Sequence, residues 1–274
     1  MSEQTETDYV LGTHDAELAR LALQHRVSRP AVADCWQRVG ITHGWRVLDV
    51  GAGPGYATAD LAEIVGPTGS VLAIERSARF LEAARERCRG RGLTNIEFRQ
   101  ADLMEVSLGQ VGLDASWCRW VACFVSSPAK LIDNIAGALR PGGLAIFHEY
   151  SDYETFRFMP IRPALEKFSH EVMASWRAAG GEPNIGRTLP DLLRAAGMRV
   201  LEIRPLVRTV APTDYAWQWP ASFIEINVVR LQELGRLTTT EGAEVLREFR
   251  AAAGDPQSWF TTPLFLEIVA RRPL

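Results

Sequence analysis

Two hydrophobic periods divide the chain. Residues 14–40 carry helical spacing, with Pro30 suited to a helix first turn and Gly40 to a helix end. The pattern then shortens to compact apolar runs separated by amphipathic stretches. Arg46–Val50 reads as a strand, followed by a helix with Leu61, Ile64 and Val65 on one face. Ser70–Glu75 is a second strand, and Phe80, Leu81, Ala84 and Cys88 recur at helical spacing after it. Further strands are expected over Ile96–Gln100, 113–118 and 144–150. Between the last two, Ser127-Pro128 opens a helix as N-cap and first-turn residue. Its stripe is Leu131, Ile135 and Leu139, and Pro141-Gly142-Gly143 ends it.

Strands alternating with helices predict a parallel sheet covered on both faces, linked by right-handed crossovers. Beyond residue 150 the pattern is richer in helix: 163–179 with Leu165, Phe168, Val172 and Trp176 on one side, then 187–196, 216–235 and 240–253. Strands are expected at 199–210 and 264–270, as antiparallel neighbours at one sheet edge. No Gly-, Ser- or Pro-rich linker divides the chain. One domain over 1–274 is expected, with a helical lid (1–40), a core (41–150) and cover helices plus the last two strands (151–274).

The most informative stretch is Val47-Leu48-Asp49-Val50-Gly51-Ala52-Gly53-Pro54-Gly55. A strand runs into glycines that permit a tight turn and close approach of a ligand. A helix N-terminus follows, where free amides and the dipole favour an anionic group. Glu75, at the end of the next strand, is placed to accept both hydroxyls of a ribose. Together they point to a nucleoside site. Dinucleotide sites usually read GxGxxG; here the spacing is GxGxG behind Asp49.

LDVGAGPG, Glu75, the segment Gln100-Ala101-Asp102-Leu103 and Leu139-Arg140-Pro141-Gly142-Gly143 resemble the class I S-adenosylmethionine-dependent methyltransferases over most of residues 41–150. The helical N-terminus and the segment after residue 150 resemble the branch acting on quinones and natural products. The resemblance implies an α/β, Rossmann-like sheet of seven mostly parallel strands with an antiparallel last strand, plus a helical lid. It implies S-adenosyl-L-methionine as cofactor. Gly51, Ala52 and Gly53 would pack on its methionine part, Asp49 support the loop or meet the amino group, and Glu75 hold the ribose. Asp102 would bond the adenine amine, with Arg76, Ala101 and Leu103 around the ring and the Arg119 backbone near the methionine amine. Tyr9 and Gln24 would close over the methionine end. Asp102 also suits a helix N-cap, and Arg119 a surface charge.

Methyl transfer from a sulfonium is an in-line displacement, so holding the acceptor on the methyl axis and excluding water do much of the work. Ligands of open α/β sheets lie beyond the carboxyl ends of the strands. That places Trp120, Phe124, His148, Glu149 and Tyr150 near the acceptor. His148 and Glu149 are candidate bases, although His148 also suits a structural histidine and Glu149 a lid anchor. His14, His25, His43 and His170 are weaker candidates. Tyr153 and Trp176, with the aromatics around them, are expected to give the acceptor a largely apolar cover. Many of these aromatics also suit a core. The Asp-Asn pair that catechol-type relatives place after strand five is replaced by His148-Glu149-Tyr150-Ser151-Asp152, and Asp133-Asn134 falls inside a helix, so no metal is expected. The Asn/Asp-Pro-Pro-Tyr clamp for exocyclic amines of bases is absent after strand four.

Composition fits this picture. Hydrophobic residues make up 47% and charged residues 23% of 274, enough for a sizeable core, and a net charge of −3 gives no electrostatic footprint for nucleic acid. Four cysteines without a CxxC pair fit reduced thiols. The polar start lacks a signal-peptide pattern, and no apolar run is long enough to span a bilayer. The expectation is a cytoplasmic, metal-independent enzyme methylating a small aromatic or polyketide-like molecule, with helical additions that leave room for a homodimer. The rivals are a protein that binds the cofactor without transferring methyl (a cyclase or sensor), a nicotinamide-dependent oxidoreductase, and a protein methyltransferase.

Overall fold

The computed structural model describes residues 15–274. Its seven-stranded sheet is built from the apolar runs: β1 (Arg46–Val50), β2 (Ser70–Glu75), β3 (Ile96–Gln100), β4 (Leu113–Arg119), β5 (Leu139–Asp152), β7 (Arg199–Leu206) and β10 (Leu264–Arg271), in the order β3-β2-β1-β4-β5-β10-β7. β1, β2 and β4 are buried almost end to end, as parallel strands covered on both faces must be. β1 pairs in parallel with β2 and β4, aligning Asp49 with Ala73 and Trp117. The order reverses at β1, so a crevice opens beyond the carboxyl ends of β1, β2 and β4. β10 runs antiparallel between β5 and β7, the expected antiparallel pair at one edge.

Helices cover both faces. α1 (Asp15–Val39) and α2 (Tyr56–Val65) close one core around Val32, Trp36, Val47, Leu61 and Trp117. α3 (Ala78–Gly90) buries Phe80, Leu81, Ala84 and Cys88, the stripe its spacing predicts. The larger core gathers α4 (Pro128–Ala138), α5 (Pro163–Ala178), α6 (Leu189–Ala195), α7 (Gln218–Glu233) and α8 (Thr239–Gly254) around β5 and the aromatics that follow it.

Three local expectations are corrected. Pro30 lies inside one 25-residue helix rather than opening a second. Val32, Cys35 and Trp36 beyond it are buried against the sheet, and that packing carries the helix past its missing donor. Ser127 precedes α4 without a side-chain capping bond, leaving Pro128 as the start signal. The expected strand 199–210 is two: β7, and β8 (Thr209–Val210), which joins β6 (Arg157–Met159) and β9 (Trp259–Thr261) in a separate sheet of order β6-β9-β8. β9 sits in its centre because Phe260 is buried between Phe158 and Val210.

Candidate active site

Beyond β1 the backbone turns through Gly51, Gly53 and Gly55, with φ of 60°, 54° and 77°. Glycine is required there twice over. A Cβ on Gly51 would lie 2.6 Å from a Val121 methyl, and one on Gly55 would lie 2.6 Å from the Ala84 Cβ. On Gly53 it would meet nothing within 4 Å, and Gly53 faces a cavity. The loop is pinned from behind. Glu75 Oε2 accepts the Gly53 N–H at 2.9 Å and Oε1 accepts the Ser77 N–H at 2.9 Å, while Arg87 donates to the Pro54 carbonyl at 2.9 Å. Burial raises the Glu75 pKa, against the opposing hydrogen bonds from Ser77 and Gly53. α2 begins at Tyr56 with Gly55 as its N-cap and no side chain capping it, so its first amides are available to a ligand.

The cavity encloses about 440 Å³. Asp49, Gly51, Ala52 and Gly53 line it together with Glu75 and Arg76. Ala101, Asp102 and Leu103 come from the turn after β3, Arg119 from the end of β4 and Gln24 from α1. Asp49 is buried and accepts the Thr58 hydroxyl at 2.6 Å; burial pushes its pKa up to about 6, against that bond. Asp102 both lines the cavity and caps its own turn, Oδ1 accepting the Met104 N–H at 2.8 Å. Gln24 Oε1 accepts from Arg20 and, at 3.2 Å, from the Trp219 indole, which joins α1 to α7 at the cavity edge. Tyr9 and His14 lie outside the described residues.

Trp120 and Phe124 line the far part of the cavity with Val121, Val125 and Leu131. Trp120 has φ of 52°, a left-handed conformation that a bulky residue keeps only when its surroundings impose it. Its ring stacks on Tyr150 at 5.5 Å with 11° between planes, and meets Phe265 edge-on at 5.7 Å.

Tyr150, Tyr153 and Trp176 do not line the cavity; they stand behind it. Tyr150 backs Trp120, and Trp176 meets Phe124 edge-on at 4.7 Å. Tyr153, Phe156, Phe158, Phe168, Trp217, Trp219 and Phe223 are buried against one another, so the expected aromatic cover is mostly a second core.

Neither candidate base lies in the cavity wall. His148 is buried, its Nε2 3.0 Å from Glu267 of the neighbouring strand and its ring edge-on to Trp117. The other Glu267 oxygen takes Arg38 of α1. Burial lowers the His148 pKa, against the bond to Glu267. Burial opposes charge on Glu267 too, but bonds from His148, Cys35 and Arg38 outweigh it and hold its pKa down to about 2. Cys35, His148 and Glu267 are the one group among the described residues with three ligand atoms within 4.8 Å of one another. Arg38 balances that group's carboxylate, and the group ties α1 to β5 and β10. Glu149, also buried, accepts the N–H groups of Val121, Ala122 and Cys123 at 2.7, 2.8 and 3.3 Å. Burial pushes its pKa up to about 7 against those bonds. It anchors the turn that carries Val121 and Phe124 into the cavity. Of the weaker candidates, His43 packs at the Gly66 turn, His170 pairs at 3.5 Å with Glu171, and His25 contacts Arg119.

The sequence reading missed several cavity residues. Leu21, Tyr56, Phe80 and Val121 line the wall. Tyr56 was findable as the first helical residue after the glycine loop, and Arg87 lies over its ring at 3.6 Å.

A glycine cradle with open space at Gly53, a buried carboxylate at the end of β2 and an uncapped helix N-terminus fit a nucleoside with a charged amino-acid end. The comparisons with known proteins agree. Residues 47–143 match the family model of a methyltransferase domain. A demethylmenaquinone methyltransferase of Geobacillus stearothermophilus is 27% identical over 190 residues, 65% of this chain and 81% of the relative. A ubiquinone/menaquinone biosynthesis C-methyltransferase of Erwinia tasmaniensis is 27% identical over 54% of this chain and 57% of the relative. The chain thus aligns with little more than half of that relative's length. Among solved structures, the (4+2)-cyclase SpnF superposes with a TM-score of 0.55 at 20% identity, over 85% of this chain and 77% of that one. Residues 47–143 carry a methyltransferase domain, the chain is similar to the class I S-adenosylmethionine-dependent methyltransferases, and S-adenosylmethionine is its cofactor.

Proposed function

We propose that this enzyme methylates a small, largely apolar acceptor of the aromatic or reduced-quinone type, without a metal. The observation that carries the proposal is the continuity of the glycine cradle with an apolar wall of Trp120, Val121, Phe124, Val125 and Leu131 in one cavity. The two relatives' names point the same way, since both refer to quinone methylation. When bound, the cofactor supplies an electrophilic methyl group on a sulfonium.

The chain's own residues then bind, orient and exclude water. Glu75 accepts ribose hydroxyls with the lone pairs left beside its two backbone bonds. Asp49 and the first amides of α2 meet the charged methionine end. Asp102 and Leu103 receive the adenine, with Ala101 and Arg76 beside it. Trp120 and Phe124 hold the acceptor face, fixed from behind by Tyr150 and Trp176, while α1 and α7 form the cover through Gln24 and Trp219. His148 and Glu149 are committed elsewhere, so rate comes chiefly from positioning and desolvation.

The test is a panel of acceptors scored by adenosylhomocysteine release: reduced naphthoquinones and benzoquinones, hydrophilic small amines, and intact proteins. Turnover is expected with the first group and is expected to persist in chelator. Turnover confined to amines or proteins refutes the acceptor class, and loss in chelator refutes metal independence. The SpnF likeness gives a second reading specific content, because this architecture also carries a cyclase. An acceptor isomerised without cofactor consumption would establish it.

A further inference from the structure

Arg119, the last residue of β4, lines the cavity, and its guanidinium lies between α1 and the Trp120 ring. Its partners are neutral. Nη1 donates to the Ser28 hydroxyl at 2.9 Å, Nη2 lies 3.2 Å from His25 Nδ1, and the group lies over the Trp120 ring at 5.2 Å. Among the described residues no carboxylate comes within ion-pair distance of it; Asp49 and Asp60 act on it only from further away. The His25 tautomer follows from its other side. Nε2 faces Asp60 at 3.2 Å, and Asp60 is held charged by Arg29 at 2.6 Å and by Arg91. Nε2 therefore carries the proton, and Nδ1 is left to accept from Arg119.

A desolvated cation costs several kcal/mol unless a counter-charge meets it. Burial does lower the Arg119 pKa, against attraction by Asp49, but only to about 10, so the cation persists at neutral pH. A charged group at the cavity is held between α1 and β4 by neutral acceptors alone.

We propose that Arg119 is an anion subsite of the cavity, which receives the carboxylate at the methionine end of the cofactor. The proposal rests on the adenosylmethionine assignment and adds a residue role to it. Asp49, on the same cavity, supplies the opposite charge for the ammonium, so the pair reads a zwitterion. A carboxylate on the acceptor offers the same chemistry, and the experiment separates the two sources.

S-adenosylhomocysteine and 5′-methylthioadenosine, which lacks the amino-acid end, are titrated calorimetrically into the wild type, Arg119→Lys and Arg119→Met. Salicylate is titrated into the adenosylhomocysteine-loaded proteins. Thermal melts confirm folding. The expected result is a loss of at least about tenfold in adenosylhomocysteine affinity for Arg119→Met, partly restored in Arg119→Lys, with methylthioadenosine affinity changed less than about twofold. Equal losses for both nucleosides make Arg119 a structural support and overturn the proposal. Unchanged adenosylhomocysteine affinity with lost salicylate binding moves the anion to the acceptor and overturns the cofactor assignment of the subsite. Unchanged binding of both in folded Arg119→Met removes the subsite altogether. A wild type that binds neither nucleoside refutes the adenosylmethionine assignment instead.

Discussion

At the scale of single residues, the glycines of the loop separate folding from binding. Gly51 and Gly53 share a left-handed φ, so alanine at either incurs about 1–2 kcal/mol of backbone strain. Only at Gly51 does the new Cβ also collide with Val121. Gly51→Ala is expected to lower the melting temperature clearly more than Gly53→Ala, whereas Gly53→Ala stays folded and loses adenosylhomocysteine affinity. Melts and calorimetry on the two variants check this; equal melting losses with unchanged affinity for Gly53→Ala would show that Gly53 does not face the ligand. Sequence alone exposed this loop because glycine at a strand end with a carboxylate one strand over has few other uses. It did not resolve His148 from Glu149. β5 is buried on both faces, so no polar alternation marks which side chain faces the cavity, and neither lines it.

At the scale of elements, the turn after β4 is shaped by one carboxylate. Glu149 gathers three backbone N–H groups and holds Val121 and Phe124 at the cavity. Its pKa is raised from 4.5 to about 7, so the folded state binds more protons than the unfolded state in that window. Its contribution to stability is greatest below pH 4.5 and declines as pH rises through about 7, by about 3 kcal/mol in total. Glu149→Gln has no such proton. The stability gap between wild type and Glu149→Gln, from urea unfolding, is therefore expected to shrink by about that amount between pH 4 and 8. A gap independent of pH would show that Glu149 titrates normally. The variant's amide N–H₂ also faces backbone donors, which destabilises the turn at any pH. α1 shows why element boundaries were less legible than element types. Pro30 reads locally as the first turn of a new helix, and the tertiary packing of Val32, Cys35 and Trp36 keeps it inside one.

At the scale of the whole molecule, the sheet was legible because parallel strands appear as uninterrupted apolar runs between amphipathic helices. The small sheet of β6, β8 and β9 was not, because its strands are two or three residues long and its order depends on pairings about fifty and about a hundred positions apart. The aromatics tell a similar story. Their number suggested a ligand cover, but mutual burial accounts for most of them. Phe158, packed on Phe156, Trp217, Phe249 and Phe260, belongs to that second core and not to the cavity. Phe158→Ala is expected to cost about 3–5 kcal/mol in unfolding free energy while leaving adenosylhomocysteine affinity of the folded protein within about twofold. A large affinity loss with little destabilisation would place the aromatic core in the binding machinery after all.

The most direct test of methyl transfer from the glycine cradle to an apolar acceptor is a single-turnover reaction. Protein loaded with methyl-labelled S-adenosylmethionine is mixed with a reduced naphthoquinone, and both products are weighed by mass spectrometry. The account predicts one labelled methyl on the acceptor for each adenosylhomocysteine formed, abolished together in Glu75→Ala. Bound S-adenosylmethionine that stays intact while the acceptor is isomerised or untouched, across the acceptor panel, would contradict it.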